Sequence, residues 1–321
     1  MRTLRLNLVA AFTNLSSPDL QFLNWRYWLR LVRFFILALS VALLSVPLLF
    51  GFLTTLALLY APCIENTLTP TDYGYDWEEV TLAARAGGRF RGFFIPGANG
   101  ATIIIPPAGS NGRGIRLHEA AVLLRHGYAV FTFESRRCAG MGPLSLGYQE
   151  VDEVTDALDY VLTREDVDPN RIGIHGFSSA GATAIMATAR FPTLRAVVAE
   201  GGYGNFVENA LGTGRSSNRA IAYFEVIYRW STRLTYRLIT GMDINQLSPV
   251  DVIGDIAPRP ILLIYGSHEV SLPGGRHQKA AAGDNAKLWI VEGAGHGNYV
   301  DVAPEEYERR VIMFFDEALL K

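Results

Sequence analysis

Residues 34–60, FFILALSVALLSVPLLFGFLTTLALLY, form an unbroken apolar run of 27 residues without one charge. About 20 apolar residues suffice to cross a hydrocarbon core. The run predicts one transmembrane helix over 34–60, with Pro47 as a kink that neighbouring groups absorb. It is too long for the core of a signal peptide, and Pro62 before Cys63 does not fit a lipoprotein processing site. Arg2, Arg5, Arg26, Arg30 and Arg33 precede it against one acid, Asp19; residues 61–80 carry Glu65, Asp72, Asp76, Glu78 and Glu79 and no Lys or Arg. That asymmetry places the N-terminus in the cytoplasm and the rest of the chain outside it. Residues 20–33, LQFLNWRYWLRLVR, mix Trp, Tyr and Arg with leucines. They read either as an interfacial amphipathic helix or as the first turns of the membrane helix, so 1–33 form a cytoplasmic or interfacial segment.

Past the run the pattern changes. Residues 61–78 contain Pro62, Pro70 and Gly74 and read as a linker. Strand candidates follow at 78–84, 89–96, 101–107, 128–134, 171–177, 194–200, 260–266 and 286–292, several of them short, nearly continuous apolar runs. Runs of this kind suit strands covered on both faces. Helical patterns separate them at 114–126, 150–165, 179–190, 275–282 and 304–320. The alternation predicts an α/β domain over 79–321, a mostly parallel, doubly wound sheet with helices on both faces. The first two or three strands, joined by short turns, should form an antiparallel edge. Residues 203–256 break the alternation. They include RAIAYFEVIYRWSTRLTYRLITG (219–241), with Phe224, Tyr228 and Trp230, and read as a helical cap insertion lining a substrate pocket, since insertions at strand ends commonly carry function.

Composition narrows the classes. The 321 residues are 49% hydrophobic with a net charge of −2, which gives no footprint for a nucleic-acid partner. Two cysteines, Cys63 and Cys138, are too few for a disulfide framework and lack metal-site spacing. A bridge between them requires an extracytoplasmic setting and is not the expected state. No phosphate loop, dinucleotide fingerprint or zinc motif occurs, so no cofactor and no metal are expected.

One motif carries chemistry. IHGFSSAGATAIMATA (174–189) runs from a strand into a helix through Gly176-Phe177-Ser178-Ser179-Ala180-Gly181. A nucleophilic serine needs an exposed Oγ, a backbone N–H aimed at the developing oxyanion, and a base in reach. The turn in G-x-S-x-G supplies the first two; Gly176 and Ser178 fit it, and Ala180 stands at its last position. Among the six histidines, His296 lies in the Gly-rich loop VEGAGHGNY (291–299) after the last strand, where chain order places the base. His118 and His126 fall on a surface helix and His175 inside a strand. The acid that orients the base should follow 260–266, where Glu269 is the one candidate; Glu200, ending LRAVVAE (194–200), is its rival. Ser179 offers one oxyanion N–H. The second must come from Ala108 or Gly109, because Pro106 and Pro107 carry no N–H; Ala108 is the first choice.

With Gly176-Phe177-Ser178-Ser179-Ala180-Gly181, Tyr265-Gly266-Ser267-His268-Glu269 with Pro273, and Gly293-Ala294-Gly295-His296-Gly297, residues 79–320 resemble an α/β-hydrolase domain of the BEM46-like and dienelactone-hydrolase-like group. The resemblance implies an eight-stranded sheet, a Ser-acid-His triad and no cofactor. This chain has Pro106-Pro107 where that group has His-Gly, and Glu269 where it more often has Asp. The expected protein is a membrane-anchored serine hydrolase acting on a small-molecule or lipid-like acyl substrate, a carboxylic ester first of all. A silent membrane-tethered binding module, a peptidase and an acyltransferase are the alternatives.

Overall fold

A computed structural model describes the backbone over residues 18–211 and 216–321, with side chains over 25–208 and 216–321. The sequence expectations for Arg2 and Arg5 lie outside the described residues. Helix α1 spans Pro18–Leu59 without a break through Pro47. Residues 20–33 are therefore its first turns and no separate interfacial helix. Its stretch Trp25–Leu59 is long and apolar enough to cross a membrane by length and composition.

Strands β1 (Glu78–Ala83), β2 (Arg89–Ile95), β3 (Thr102–Ile105) and β4 (Ala129–Phe133) follow, with α2 (Leu117–Arg125) between the last two. Then come α3 (Tyr148–Leu162), β5 (Ile172–Phe177), α4 (Ser179–Arg190) and β6 (Leu194–Glu200). The inserted segment holds α5 (Phe206–Leu211), α6 (Arg219–Thr240) and the short α7 (Pro249–Val252). The chain closes with β7 (Ile261–Gly266), α8 (Leu272–Ala282), β8 (Ala286–Val291), a turn of helix α9 (Tyr299–Val302) and α10 (Pro304–Phe315). Among the described residues eight strands form one sheet in the order β1-β2-β4-β3-β5-β6-β7-β8. β2 is antiparallel to both neighbours and every later pairing is parallel. This is the α/β-hydrolase architecture.

Period-two alternation divides the core into two layers. Ile104, Ile261 and Leu263 pack with α3 and α4 on one face. Ile103, Ile105, Leu262 and Ile264 pack with α2 and α10 on the other. A third apolar cluster joins Leu59 at the end of α1 to Leu144, Tyr203, Phe206, Tyr228 and Tyr236. The insertion thus meets α1: Phe50 packs against Phe224 and Tyr228 at ring separations of 5.8 and 5.4 Å. These aromatics face α1, where the sequence placed them over a pocket. Helical pattern shows that a face is apolar but not what covers it.

The stretch read as a linker is docked. The Ile64 N–H donates to Ser110 O (2.9 Å), Gly112 N–H to Ile64 O (2.7 Å) and Leu144 N–H to Leu59 O (2.8 Å). Cys63 and Cys138, 75 residues apart, form a disulfide, against the sequence expectation. No local pattern foreshadows a pairing that the fold creates by bringing the loop after β4 to the foot of α1. Closing a loop of this length removes roughly 4 kcal/mol of unfolded-state entropy in the loop-closure picture.

Denatured without reductant, the protein is expected to offer no thiol to a thiol reagent. The double variant Cys63→Ser, Cys138→Ser should lose roughly 2–5 kcal/mol of unfolding free energy. Two reactive thiols in the unreduced protein would contradict the pairing.

Candidate active site

The site is built on the carboxyl edge of the sheet, where parallel strands present their loops. Ser178 sits between β5 and α4 at φ 56°, ψ −126°, a conformation that a side chain adopts only when its surroundings impose it. The surroundings are small. A Cβ on Gly176 would lie 2.1 Å from Ala180 O, and one on Gly181 2.9 Å from Glu200 O. Ala180 is itself buried, so the close approach to β6 is made by Gly181, one residue beyond the motif's last position. The Ser178 N–H donates to Glu200 O at 2.7 Å and ties the turn to β6.

The structure brings three of the sequence-derived residues together. His296 Nε2 lies 3.0 Å from Ser178 Oγ, and its Nδ1 lies 2.5 Å from Glu269 Oε1. An ionised carboxylate only accepts, so Nδ1 carries the proton and Nε2 is left to accept from Ser178. Gly201, at φ 57°, is what allows this convergence: a Cβ there would stand 2.5 Å from Tyr299 Oη, 2.7 Å from Glu269 Oε1 and 2.9 Å from His296 Cε1.

Glu269 has partners that sequence reasoning missed. It accepts from the Gly266 N–H (2.6 Å), Tyr299 Oη (2.8 Å) and Ser271 Oγ (3.0 Å). Burial pushes its carboxyl up, but the hydrogen bonds from His296, Gly266, Tyr299 and Ser271 outweigh this and hold it below the usual glutamate range. Hydroxyl donors leave no mark in sequence that separates them from surface serines and tyrosines.

Glu200, the rival acid, is taken up elsewhere. Fully buried, it accepts from His175 Nε2 (2.8 Å), Arg116 Nη2 (2.9 Å) and Tyr307 Oη (2.5 Å). Burial acts to raise its carboxyl, while His175, Arg116 and Tyr307 prevail and lower it. His175 is structural, as its strand position implied. Arg116 also lies 4.3 Å over the Phe177 ring, which packs in turn against the His296 ring at 4.7 Å. A buried charge network thus braces the floor beneath the imidazole.

The oxyanion side is equally specific. The Gly109 N–H donates to Ser179 Oγ at 2.7 Å, which withdraws it from any other acceptor. The N–H groups of Ala108 and Ser179 have no protein acceptor among the described residues, and both residues line the cavity that holds Ser178 and His296. That cavity measures about 540 Å³. Its walls include Leu144, Leu146, Tyr203 and Phe206, and also Ala57 and Leu58 of α1; among the described residues no Asp, Glu, Lys or Arg lines it.

Removing one donor from Glu269 has an effect whose sign with pH is fixed. A carboxylate depressed in the folded state stabilises the protein above its unfolded pKa, near ~4.3, and this is lost as pH falls through the lower folded value. Tyr299→Phe is expected to cost roughly 1.5–3 kcal/mol in denaturant unfolding at pH 7. The deficit should shrink in acid, below both values. A deficit that stays constant with pH would contradict the assigned bond.

The prolyl oligopeptidase family profile matches residues 116–321. Among curated proteins, the uncharacterized protein YfhR of Escherichia coli (strain K12) is 26% identical over 270 residues, which cover 77% of this chain and 84% of that protein. Its counterpart in Escherichia coli O157:H7 is 26% identical over 269 residues, 77% of this chain and 84% of the relative. Among solved structures, the Pyrococcus furiosus esterase Pf2001 superposes with a TM-score of 0.63 at 20% identity, covering 82% of this chain and 98% of the esterase. The Pyrococcus horikoshii acylaminoacyl peptidase superposes with a TM-score of 0.58 at 16% identity, over 77% of this chain and 42% of the peptidase.

Proposed function

The chain belongs to the prolyl oligopeptidase family, serine hydrolases that act as esterases or peptidases, and from that premise we propose that it is a membrane-anchored esterase using Ser178, His296 and Glu269. The observation that carries the proposal is the bridging imidazole, 3.0 Å from Ser178 Oγ and 2.5 Å from Glu269 Oε1.

In this reading Ser178 Oγ attacks the acyl carbonyl while His296 Nε2 takes its proton. Glu269 holds the ring in the Nδ1–H tautomer and stabilises it once charged. The N–H groups of Ala108 and Ser179 receive the oxyanion; Pro106 and Pro107 are no obstacle, since neither is asked to donate. His296 returns its proton to the leaving alcohol. It then takes a proton from water as the water oxygen attacks the acyl-enzyme, and passes that proton to Ser178 Oγ as the acyl–oxygen bond breaks and the acid leaves.

Two observations support an ester with an apolar acyl chain over a peptide. The cavity wall is built from Leu144, Leu146, Phe206 and the end of α1, and among the described residues it holds no charged side chain that would grip a peptide terminus. An uncharged acyl group suits such a wall. The anchor is α1, with the N-terminus in the cytoplasm and the catalytic domain outside. The Cys63–Cys138 disulfide supports that side of the membrane, because such bonds persist in oxidising compartments.

The test is steady-state hydrolysis of p-nitrophenyl esters of graded chain length by the full chain in detergent. Wild type is expected to turn over, Ser178→Ala to fall to background, and Glu269→Gln to lose about 10⁴-fold in kcat with little change in KM. Turnover surviving in Ser178→Ala would overturn the proposal. So would a folded wild type inert towards every ester, which is the behaviour of a binding module.

A further inference from the structure

Helix α6 presents three faces. Tyr228, Ser231, Thr232, Thr235 and Tyr236 are buried. Val226, Trp230, Leu234 and Leu238 recur every fourth residue and are 60%, 58%, 41% and 76% exposed, forming one apolar ridge. Arg229, Arg233 and Arg237 form the ridge beside it, which Glu225 opens; Arg237 is exposed, and Arg229 and Arg233 are half-buried. An exposed apolar strip of this kind on a folded domain marks a contact surface. Apolar and cationic ridges side by side are the pattern of a helix lying in a membrane interface.

The position of α6 on α1 names the partner. Ser231 Oγ donates to Leu48 O at 2.6 Å. Gly51 makes the crossing close: a Cβ there would lie 2.7 Å from Tyr228 O and 2.8 Å from Ser231 Cβ. Small residues and a hydroxyl at the crossing are how helices pack within lipid. Arg33 is the last charge before the apolar run, and Leu48 follows it by 15 residues, a rise of about 22 Å. The hydrocarbon core is about 30 Å thick. With Arg33 at the cytoplasmic boundary, the crossing therefore lies within the outer leaflet. Leu58, which lines the cavity, stands about 38 Å from Arg33 on the same count. Counted from the inner hydrocarbon boundary, the outer edge of the far headgroups is about 35–38 Å away, so Leu58 stands at the outer edge of the headgroup layer.

We propose that α6 is a second membrane element, lying in the outer interface with its apolar ridge in lipid and its arginines among phosphates, and that the cavity draws an amphiphilic acyl ester directly from that leaflet. The acyl chain enters along Ala57 and Leu58, which line the same cavity as Ser178, and the ester is drawn up from the leaflet to reach the serine. This rests on the reading of Ser178 as nucleophile and of α1 as the membrane span.

Two measurements test it on the full chain in phosphatidylcholine–phosphatidylglycerol vesicles. The first places an environment-sensitive fluorophore at Leu234→Cys on α6, Leu43→Cys on α1 or Asp159→Cys on α3, the native cysteines being bridged, and quenches with nitroxide-labelled lipids. Quenching at 234 and 43 but not at 159 is expected. Quenching at 43 without 234 overturns the placement of α6 and leaves the span intact; quenching at neither means that the span reading itself has failed. The second compares wild type with the double variant Trp230→Glu, Leu234→Glu. Turnover of a long-chain ester held in the vesicles should fall at least ~tenfold, given the apolar area withdrawn from lipid. Turnover of a water-soluble short-chain ester should not change. Equal rates on both substrates, or equal losses on both, overturn the delivery of substrate from the leaflet. A wild type inert even on the soluble ester would instead mark failure of the hydrolase reading.

Discussion

A serine held at φ 56° between a strand and a helix is the constraint on which the rest of the site depends. Such a turn is unfavourable by itself and persists because β5 and β6 leave no alternative. Gly176 and Gly181 let the backbones close on each other, and the Ser178 N–H is bound to Glu200 O. Gly201, next along β6, leaves the space in which Tyr299, Glu269 and His296 meet. Beneath them Glu200, with the charge of Arg116 and the hydrogen bonds of His175 and Tyr307, fixes the strand end from which Ser178 is suspended. A buried carboxylate with this many partners is costly to disturb, so the floor is rigid where the chemistry needs it rigid.

Much of this was legible in the sequence. Each of the eight predicted runs contains a strand of the sheet, and the central ones were the plainest because strands covered on both faces have to be apolar on both sides. The glycines around Ser178 and His296 are visible because close backbone approach admits little else. Eliminating the prolines left Ala108 and Gly109, with Ala108 placed first, and the bond from the Gly109 N–H to Ser179 Oγ leaves the Ala108 N–H as the free donor of the two. What stayed hidden has a common physical character. The hydroxyl of Tyr299, the Cys63–Cys138 bridge and the seat of α6 on α1 all join segments distant in the chain through groups that any surface could carry. Chain order already put Glu269, in the loop after β7, ahead of Glu200 at the end of β6; what the sequence did not show is that Glu200 is held by His175, Arg116 and Tyr307.

Helix α1 is no mere appendage. Its last turns contribute Ala57 and Leu58 to the cavity wall, and the bridge and backbone bonds just beyond hold it to the sheet domain. Under the proposed membrane span, where the helix stands in the bilayer sets where the cavity stands, and the membrane bears on the walls around the serine as well as on address. An apolar acyl group is the substrate class that such walls accommodate best.

The central claim is that Ser178 is an activated nucleophile in the membrane-bound protein. Labelling native-like membranes with a fluorophosphonate probe, followed by mass mapping of the modified peptide, tests it without a choice of substrate. The account predicts one adduct per chain, on Ser178, absent after Ser178→Ala and strongly slowed in His296→Ala. Unlabelled but folded protein, or an adduct on another serine, would contradict it.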